Sequence, residues 1–372
     1  MKKLFIQVFI ISMAICTTLS LFCPYGYAAR YEPRVIIDSE SVNKRVIYQS
    51  FICGGVRNIL TGNYRSSATP ELTIIGLSDI HFLTADNYKP LYNYSFKDSY
   101  GKSMSLGVQP DIIDIDNDGN YKIIRPGGGF GDIGLLDKRG NKIWTFRPNK
   151  DIPPKKMVYG DLDKDNETEF YALDYRELYR LDEKGNVIWK IDKIESGLGR
   201  KIFNYIDIFT DEKSGEQLLL INSEKDFTVI DSKGNIINKF KVDYKPNTFE
   251  IVEWNNRQYI LCGYFSKKAV LLDLSGKKVY EFKLKKFPLY HGPNAVSVKF
   301  KPDEKEYLVL LAHSRSSIQL TQINIISPEG EIIYQEVINK SFGLAPLYKK
   351  ERNSEVLIIG NGTKEILEYS LE

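Results

Sequence analysis

The stretch LLDKRGNKIW (135–144) sets an apolar pair before an Asp, a turn centred on Gly140, and an apolar–aromatic pair after it. The phrase returns as RLDEKGNVIW (180–189), VIDSKGNIIN (229–238), LLDLSGKKVY (271–280), IISPEGEIIY (325–334) and, more loosely, FLTADNYKPLY (82–92). From Gly140 to Gly185, Gly234, Gly276 and Gly330 the steps are 45, 49, 42 and 54 residues. A recurring period of this size marks one supersecondary unit stacked on itself, and its range is that of four-stranded propeller blades. Lys-Gly-Asn and its variants supply residues that tolerate positive φ in a tight hairpin turn. The fold class read from this is all-β, a single β-propeller of four-stranded blades.

Working outward, short β-branched and aromatic runs alternate with polar residues, and turn signals come every eight to twelve residues or so. Seven units fit the chain, at about 56–98, 108–147, 155–192, 202–243, 246–284, 293–338 and 342–371. The first and last are degenerate, so six or eight blades stay open. The segment RVIIDSESVNKRVIYQSF (34–51) is left over and has strand character. It is expected to give an outer strand to the last blade, closing the ring and removing an exposed edge. Trp144, Trp189, Tyr280 and Tyr334 fall at matching places in their units. Packing between blades accounts for them better than a cofactor-stacking role does. Pro153 and Pro154 sit between two units and read as a loop, not a domain boundary.

Lys2 and Lys3, an apolar run from Leu4 to Cys23, and the small residues Gly26, Ala28 and Ala29 have the layout of a secretory signal peptide over residues 1–28. Cleavage after Ala28 or Ala29 would leave the propeller at 30–372. An uncleaved anchor is the alternative, since the run approaches the roughly 20 residues that span a bilayer. A lipidated cysteine does not fit, because Ile15 precedes Cys16 and Phe22 precedes Cys23 where a small residue is required. The whole chain carries 51 Lys and Arg against 48 Asp and Glu, and loss of the two leader lysines brings it close to neutrality. No bulk field then draws it to nucleic acid or anionic lipid. The expected location is secreted, periplasmic or cell-envelope, as a monomer with no membrane span after cleavage. Cys53 and Cys262 would remain, either paired or as two separate buried thiols.

Two units carry acidic loops. DLDKDNETE (161–169) places Asp161, Asp163 and Asp165 at loop positions one, three and five, with Glu169 at nine and the carbonyl of Glu167 between. DIDNDGNYK (114–122) repeats Asp114, Asp116 and Asp118, with Gly119 easing the turn and Asn120 offering a carbonyl. Its ninth position is Lys122, which cannot coordinate a cation. Alternate side chains of a curled loop converge, and clustered carboxylates suit a hard cation such as Ca²⁺. The other account is a solvated turn in which Asp side chains cap backbone N–H groups. No helix–loop–helix calcium hand fits, for strands flank both loops and position twelve lacks Glu. A metal here would be structural.

GDLDKDNETEF and PDIIDIDNDGNYKIIRPGGGFGDIGLLD resemble the FG-GAP/VCBS-type repeats of integrin-α-like propellers, in which an acidic calcium loop precedes a strand and a Phe-Gly-Gly-like turn. GGGFGD (127–132) stands where that turn belongs. The likeness covers roughly residues 108–192. It implies a propeller with Ca²⁺ on the residues just named. The hairpin phrases also resemble quinoprotein-type propeller repeats. DIFTDEKSGEQ (207–217) and KFKPDEKEY (299–307) hold corresponding places without alternating acids, and imply no metal.

Other signals fade on inspection. GGGFG (127–131) lacks the Lys-Ser/Thr and the helix of a phosphate loop. His81, His291 and His313 have no partner at metal-ligand spacing, and KLKKF (283–287) and YKKER (348–352) are too short for a nucleic-acid path. Asn93, Asn166, Asn339 and Asn361 head glycosylation triplets. The leading expectation is a non-catalytic exported scaffold for a protein or carbohydrate partner, with calcium stiffening one or two loops. Two alternatives stay open. One is a quinone-dependent or polysaccharide-active enzyme using the central channel, and the other an envelope-assembly scaffold working by β-augmentation at blade edges.

Overall fold

The structure is a computed structural model. It describes residues 34–372 except 38–40, 51, 53–55, 63–70, 97–105, 107–109, 116–119, 126–131, 149–155, 175, 193–203, 290–294, 303–304, 315–319, 340, 342 and 363. The expected leader, Cys53, His291, Pro153 and Pro154 lie outside the described residues. Among the described residues every regular element is a strand.

Two strands, β1 (Arg34–Ile37) and β2 (Val42–Gln49), precede seven groups of strands. The first blade is β3 (Asn58–Gly62), β4 (Glu71–Ile75), β5 (Asp79–Thr84) and β6 (Pro90–Ser95). The second is β7 (Asp111–Ile113), β8 (Lys122–Arg125), β9 (Ile133–Leu136) and β10 (Lys142–Phe146). The third is β11 (Lys156–Gly160), β12 (Glu169–Leu173), β13 (Glu177–Leu181) and β14 (Val187–Asp192). The fourth is β15 (Tyr205–Thr210), β16 (Gln217–Ser223), β17 (Asp226–Ile230) and β18 (Ile236–Lys241). The fifth is β19 (Thr248–Trp254), β20 (Arg257–Tyr264), β21 (Lys268–Leu272) and β22 (Lys278–Lys283). The sixth is β23 (Ala295–Val298), β24 (Tyr307–His313), β25 (Leu320–Ile326) and β26 (Ile332–Asn339). The seventh has three strands of its own, β27 (Leu344–Lys349), β28 (Ser354–Asn361) and β29 (Glu365–Leu371). Each blade is an antiparallel meander, and the whole is a seven-bladed β-propeller.

First strands of successive blades touch along the axis, β11 with β15, β15 with β19, β19 with β23, β23 with β27 and β27 with β3. Asn58 Nδ2 donates to Pro110 O at 3.0 Å and Tyr159 OH to Asp111 Oδ2 at 2.7 Å, carrying the same contact through the second blade. Seven apolar clusters fill the seven blade interfaces. One joins Ile124, Leu135 and Trp144 to Met157, Phe170 and Leu181, another joins Tyr171 and Leu178 to Ile206 and Leu219, and the rest follow in turn. No blade buries an apolar face by itself, so the second strands, flanked by neighbours on both sides, read as continuous hydrophobic runs.

The repeated phrase makes the turn between third and fourth strands. In the second blade Asp137 Oδ1 accepts the N–H groups of Arg139 and Asn141, both at 2.8 Å, and Asn141 Nδ2 donates to Asp137 Oδ2 at 2.8 Å. Asp182 and Asn186 repeat this in the third blade, Asp231 and Asn235 in the fourth. Burial pushes the Asp137 and Asp182 carboxyls up, but the Asn side chain and backbone donors outweigh it and hold both below the usual range. Gly140, Gly185, Gly234, Gly276 and Gly330 have φ between 82° and 92°, and the register slips beside each turn as a bulge.

Each such turn seats an aromatic ring from the preceding blade. Trp144 Nε1 donates to Glu183 O at 2.9 Å, and Trp189 Nε1 to Ser232 O at 2.9 Å. Tyr94 OH reaches Arg139 O at 3.1 Å. The fourth blade has Asn238 where its neighbours carry Trp189 and Tyr280, and Phe240 two residues later covers Gly276 instead. Tyr280 then covers Gly330. Inter-blade packing is thus the role of these rings.

Closure divides the 34–51 segment in two. Only β2 completes the seventh blade, pairing with β29 from Val42↔Leu371 to Gln49↔Glu365. β1 instead adds a fifth strand to the sixth blade, beside β26. Arg45 of β2 donates from Nε and Nη2 to Glu368 Oε1 and Oε2 at 2.9 and 3.0 Å, and Tyr88 of the first blade donates to the same carboxylate. Lys349 Nζ donates to Ala85 O at 2.6 Å and lies 3.9 Å from the Tyr88 ring centroid. Strap, last blade and first blade share this knot.

The glycine turns give a graded test. An alanine at any of them incurs about 1–2 kcal/mol of left-handed strain. At Gly234 the new Cβ meets nothing nearer than 3.5 Å, at Gly185 it meets the Trp144 ring at 2.8 Å, and at Gly276 it overlaps Phe240. Thermal unfolding should therefore show Gly276→Ala and Gly185→Ala losing more stability than Gly234→Ala; equal losses would mean the rings do not pack on the turns.

Candidate metal loop and binding faces

The acidic loop of the third blade joins β11 to β12. Lys164 and Asn166 sit at φ 61° and 69°, curling the chain back on itself. Asp161 accepts the N–H groups of Asp165 at 3.1 Å and Asn166 at 3.0 Å, and Asp165 Oδ1 accepts that of Glu167 at 2.8 Å. Carboxylate oxygens of Asp161, Asp163, Asp165 and Glu169 all lie within 4.8 Å of one another. Glu167, expected to lend its backbone carbonyl, has an exposed side chain, and that side chain is not one of the four converging carboxylates. Four converging hard oxygens could supply part of the six to eight that a cation such as Ca²⁺ takes.

The loop also holds a cation of its own. Arg180, on β13, lies 3.0 Å from Glu169 Oε1 and donates through Nη2 to Asp163 Oδ2. Its Nη1 donates to Ser232 O of the fourth blade's turn at 3.1 Å. Glu169 is 2 % exposed, and its Oε2 accepts Leu162 N–H at 3.0 Å and Tyr171 OH at 3.2 Å. Burial pushes the Glu169 carboxyl up to about 7, with Asp163 beside it adding to the shift. Burial pushes the Asp163 carboxyl up, but the hydrogen bonds from Arg180 and Glu169 and the Arg180 charge together outweigh burial and lower it on balance. Four acids against one guanidinium leave the loop electron-rich, so the residues fit a metal on the Asp161–Asp165 side.

Sequence reasoning missed Arg180, although its signal is visible. Leu135, Val229, Leu271 and Ile325 occupy the same place in the other hairpin phrases, and a charge replaces an apolar residue only in the blade with the complete acidic set. In the second blade Asp116, Asp118 and Gly119 lie outside the described residues, as does GGGFG (127–131). Of that loop, Asn120 Oδ1 accepts Lys138 Nζ at 2.5 Å. The 207–217 turn is an Asx arrangement, Asp211 Oδ2 taking the N–H and the hydroxyl of Ser214, both at 2.9 Å.

Cys262 is a buried thiol whose surroundings push its pKa up to about 12. His81 is buried between Tyr48 OH at 3.1 Å and Asp79 Oδ2 at 3.2 Å, a polar bridge from the strap to the first blade. Among the described residues no helix is long and apolar enough to cross a membrane.

A further regularity lies on the rim. Three residues beyond each left-handed turn residue, Leu91, Ile143, Ile188, Ile237 and Val279 are 42, 46, 51, 56 and 44 % exposed. They sit on β6, β10, β14, β18 and β22, the outermost strands of the first five blades. The sixth blade differs: β1 pairs with β26, and Ile333 at the equivalent place is half-buried.

No family model matches the chain, and no curated protein does. Among solved structures, the chain is similar to BBS1N in complex with ARL6DN, in mercury- and lead-soaked crystals. Identity is 9 % in both, covering 88 % of this chain and 98 or 97 % of that one, with TM-scores of 0.56 and 0.57. It is also similar to Raptor of Chaetomium thermophilum at 13 % identity and TM-score 0.54, over 88 % of this chain and 29 % of that one. At such identities the likeness is one of fold, and it agrees with the β-propeller described above.

Replacing Arg180 tests the internal cation. Arg180→Gln leaves Glu169 buried without its partner, a loss of about 3 kcal/mol for a broken buried pair. The variant should melt lower in chelator than wild type and regain more on adding calcium. An unchanged response to calcium would show that the guanidinium does not share the loop's charge.

Proposed function

We propose that this chain is an exported, non-catalytic propeller scaffold of the FG-GAP/VCBS type that binds a protein or carbohydrate partner. Ca²⁺ is its structural ion, held by Asp161, Asp163, Asp165 and Glu169 in the third blade, with a second site on Asp114, Asp116, Asp118 and Asn120. The observation that carries the reading is the rim. Among the described residues, five consecutive blades present an edge strand with no outer partner and an exposed aliphatic side chain at one repeat position. Edge strands with apolar side chains are templates for pairing, which proteins otherwise blunt or cover. The sixth blade supplies an internal example, since its edge already carries the added strand β1. The complex of BBS1N with ARL6DN supports protein binding as one use to which this fold is put.

The same observation favours one second reading, a cell-envelope assembly scaffold in which a partner's extended segment adds to a blade edge. Lys190, Lys239 and Lys241 stand on β14 and β18 among the exposed Val187, Ile188, Ile236 and Ile237. An alternately apolar strand is the segment that would complement the exposed aliphatic side chains, Lys190 and Lys241 already lying within ion-pair reach of Glu177 and Asp226.

Calcium is tested by melting with and without chelator. Wild type should lose stability on chelation, Asp163→Ala should lose that sensitivity, and calorimetry should detect calcium uptake by wild type. Equal melting curves and no uptake would sink the metal. For the rim, Ile188→Asp combined with Ile237→Asp should abolish capture of an envelope partner that wild type retains, while melting stays within about 0.5 kcal/mol of wild type, as for surface changes. Capture that survives the double substitution would place the partner elsewhere.

A further inference from the structure

In an antiparallel meander, the turn after the second strand and the crossing to the next blade share one face, opposite the acidic loop and the hairpin phrases. On that face, between the fourth and fifth blades, lies a cleft of about 540 Å³. Asn204 and Tyr205 line it at the entry to β15, Lys245, Pro246 and Asn247 along the crossing from β18 to β19, and Phe265 from the β20–β21 turn. Its volume falls in the range that holds a small ligand or short oligomer.

Two aromatic side chains are exposed in this region, Phe265 in the cleft lining and Tyr244 one residue before the lining Lys245. Phe265 is 55 % exposed, and Tyr244, next to Lys245 in the chain, is 72 % exposed. Elsewhere on the molecule most exposed large apolar side chains are aliphatic. The local frame is fixed: Tyr205 meets Phe249 edge-on at 6.2 Å, Pro246 is buried, and Asn247 N–H donates to Gly263 O at 2.7 Å. Lys225 Nζ donates to Asp243 O at 2.6 Å and lies 5.8 Å from the Tyr244 ring centroid. Lys245 lies 3.8 Å from Glu224. Asn204 Nδ2 is a buried donor with no partner, and Asn247 Nδ2 reaches Leu289 O only at 3.5 Å.

This chemistry selects among ligands. A purely apolar ligand would leave the Asn204 donor unpaired, whereas a ligand carrying hydroxyls could satisfy it. A nucleic acid needs a run of free cations, whereas one of the two lysines here lies within ion-pair reach of Glu224 and the other already donates to a carbonyl. A sugar ring presents C–H groups on its flat faces and hydroxyls around its edge. The faces suit exposed phenyl and phenol rings, which bring large rigid area at little entropic cost. The hydroxyls suit amides, which offer donor and acceptor side by side.

We propose that the cleft between the fourth and fifth blades binds a neutral oligosaccharide, with Tyr244 and Phe265 as stacking platforms and Asn204 and Asn247 as partners for hydroxyls. The site rests on reading the chain as a binding scaffold, and it is separate from both the rim and the metal loop. The test uses the full chain in calorimetric titrations with β-1,4-linked hexasaccharides of glucose, of N-acetylglucosamine and of mannose. Wild type should bind at least one of them without cleaving it. Tyr244→Ala and Phe265→Ala should each weaken that binding about tenfold, the equivalent of about 1.4 kcal/mol. Phe265→Trp should retain it, and Asn204→Ala should weaken it with unchanged melting. No binding to any hexasaccharide, or binding indifferent to all three losses, overturns the cleft. Cleavage of the sugar would overturn the scaffold reading itself, and capture through the rim reports on that reading independently.

Discussion

The seating of one blade's outer aromatic ring on the next blade's hairpin turn is the contact on which the rest depends. Trp144, Trp189, Phe240 and Tyr280 each lie on a turn whose glycine has a left-handed backbone. A Cβ there would strike the ring in three of the four cases, so glycine serves twice, for conformation and for clearance. The Asp and Asn that brace the turn from inside make it a rigid seat. Because every seat belongs to the following blade, the angle between neighbours is set locally and repeated. Repetition of a local angle is what bends a row of sheets into a ring.

A ring assembled this way has one junction unlike the others. The seventh blade has no Asp–Gly–Asn hairpin to receive the Tyr334 ring, which instead meets Tyr369 edge-on at 6.2 Å. Its missing strand comes from the other end of the described chain. The Arg45–Glu368–Tyr88 knot ties that strap to both flanking blades, and Lys349, its ammonium pushed down by burial, packs against Tyr88. The same stretch of chain contributes β1 to the sixth blade, so two neighbouring edges are covered, while among the described residues the other five carry no added strand. The distribution of open edges is therefore a consequence of how the ring closes.

The metal loop shows electrostatics settled within a repeat. Convergent carboxylates repel unless a positive charge sits among them. Arg180 provides one such charge from the adjacent hairpin, at a place where other blades carry an aliphatic side chain, and it ties the loop to the Ser232 turn next door. An ion bound on the Asp161–Asp165 side would complete the neutralisation. Loop, hairpin and neighbouring turn form one electrostatic unit spanning two blades.

Much of this architecture was legible in the linear chain. A turn phrase that returns every 42 to 54 residues has a single efficient geometry, since each copy needs a neighbour to cover its apolar face. The alternating acids of 161–169 were legible for a similar reason: spacing along a curled loop dictates which oxygens converge. What depends on residues far apart was not. Arg180 enters the acid cluster through strand pairing, Phe240 replaces a missing tryptophan by shifting two positions, and the 34–51 segment divides between two blades. Exposure at the rim and the meeting of Asn204, Asn247 and Phe265 on one cleft likewise exist only once the blades are side by side. Period and turn chemistry are properties of neighbours in sequence, whereas edges, clefts and charge partners are properties of neighbours in space, created when the ring closes.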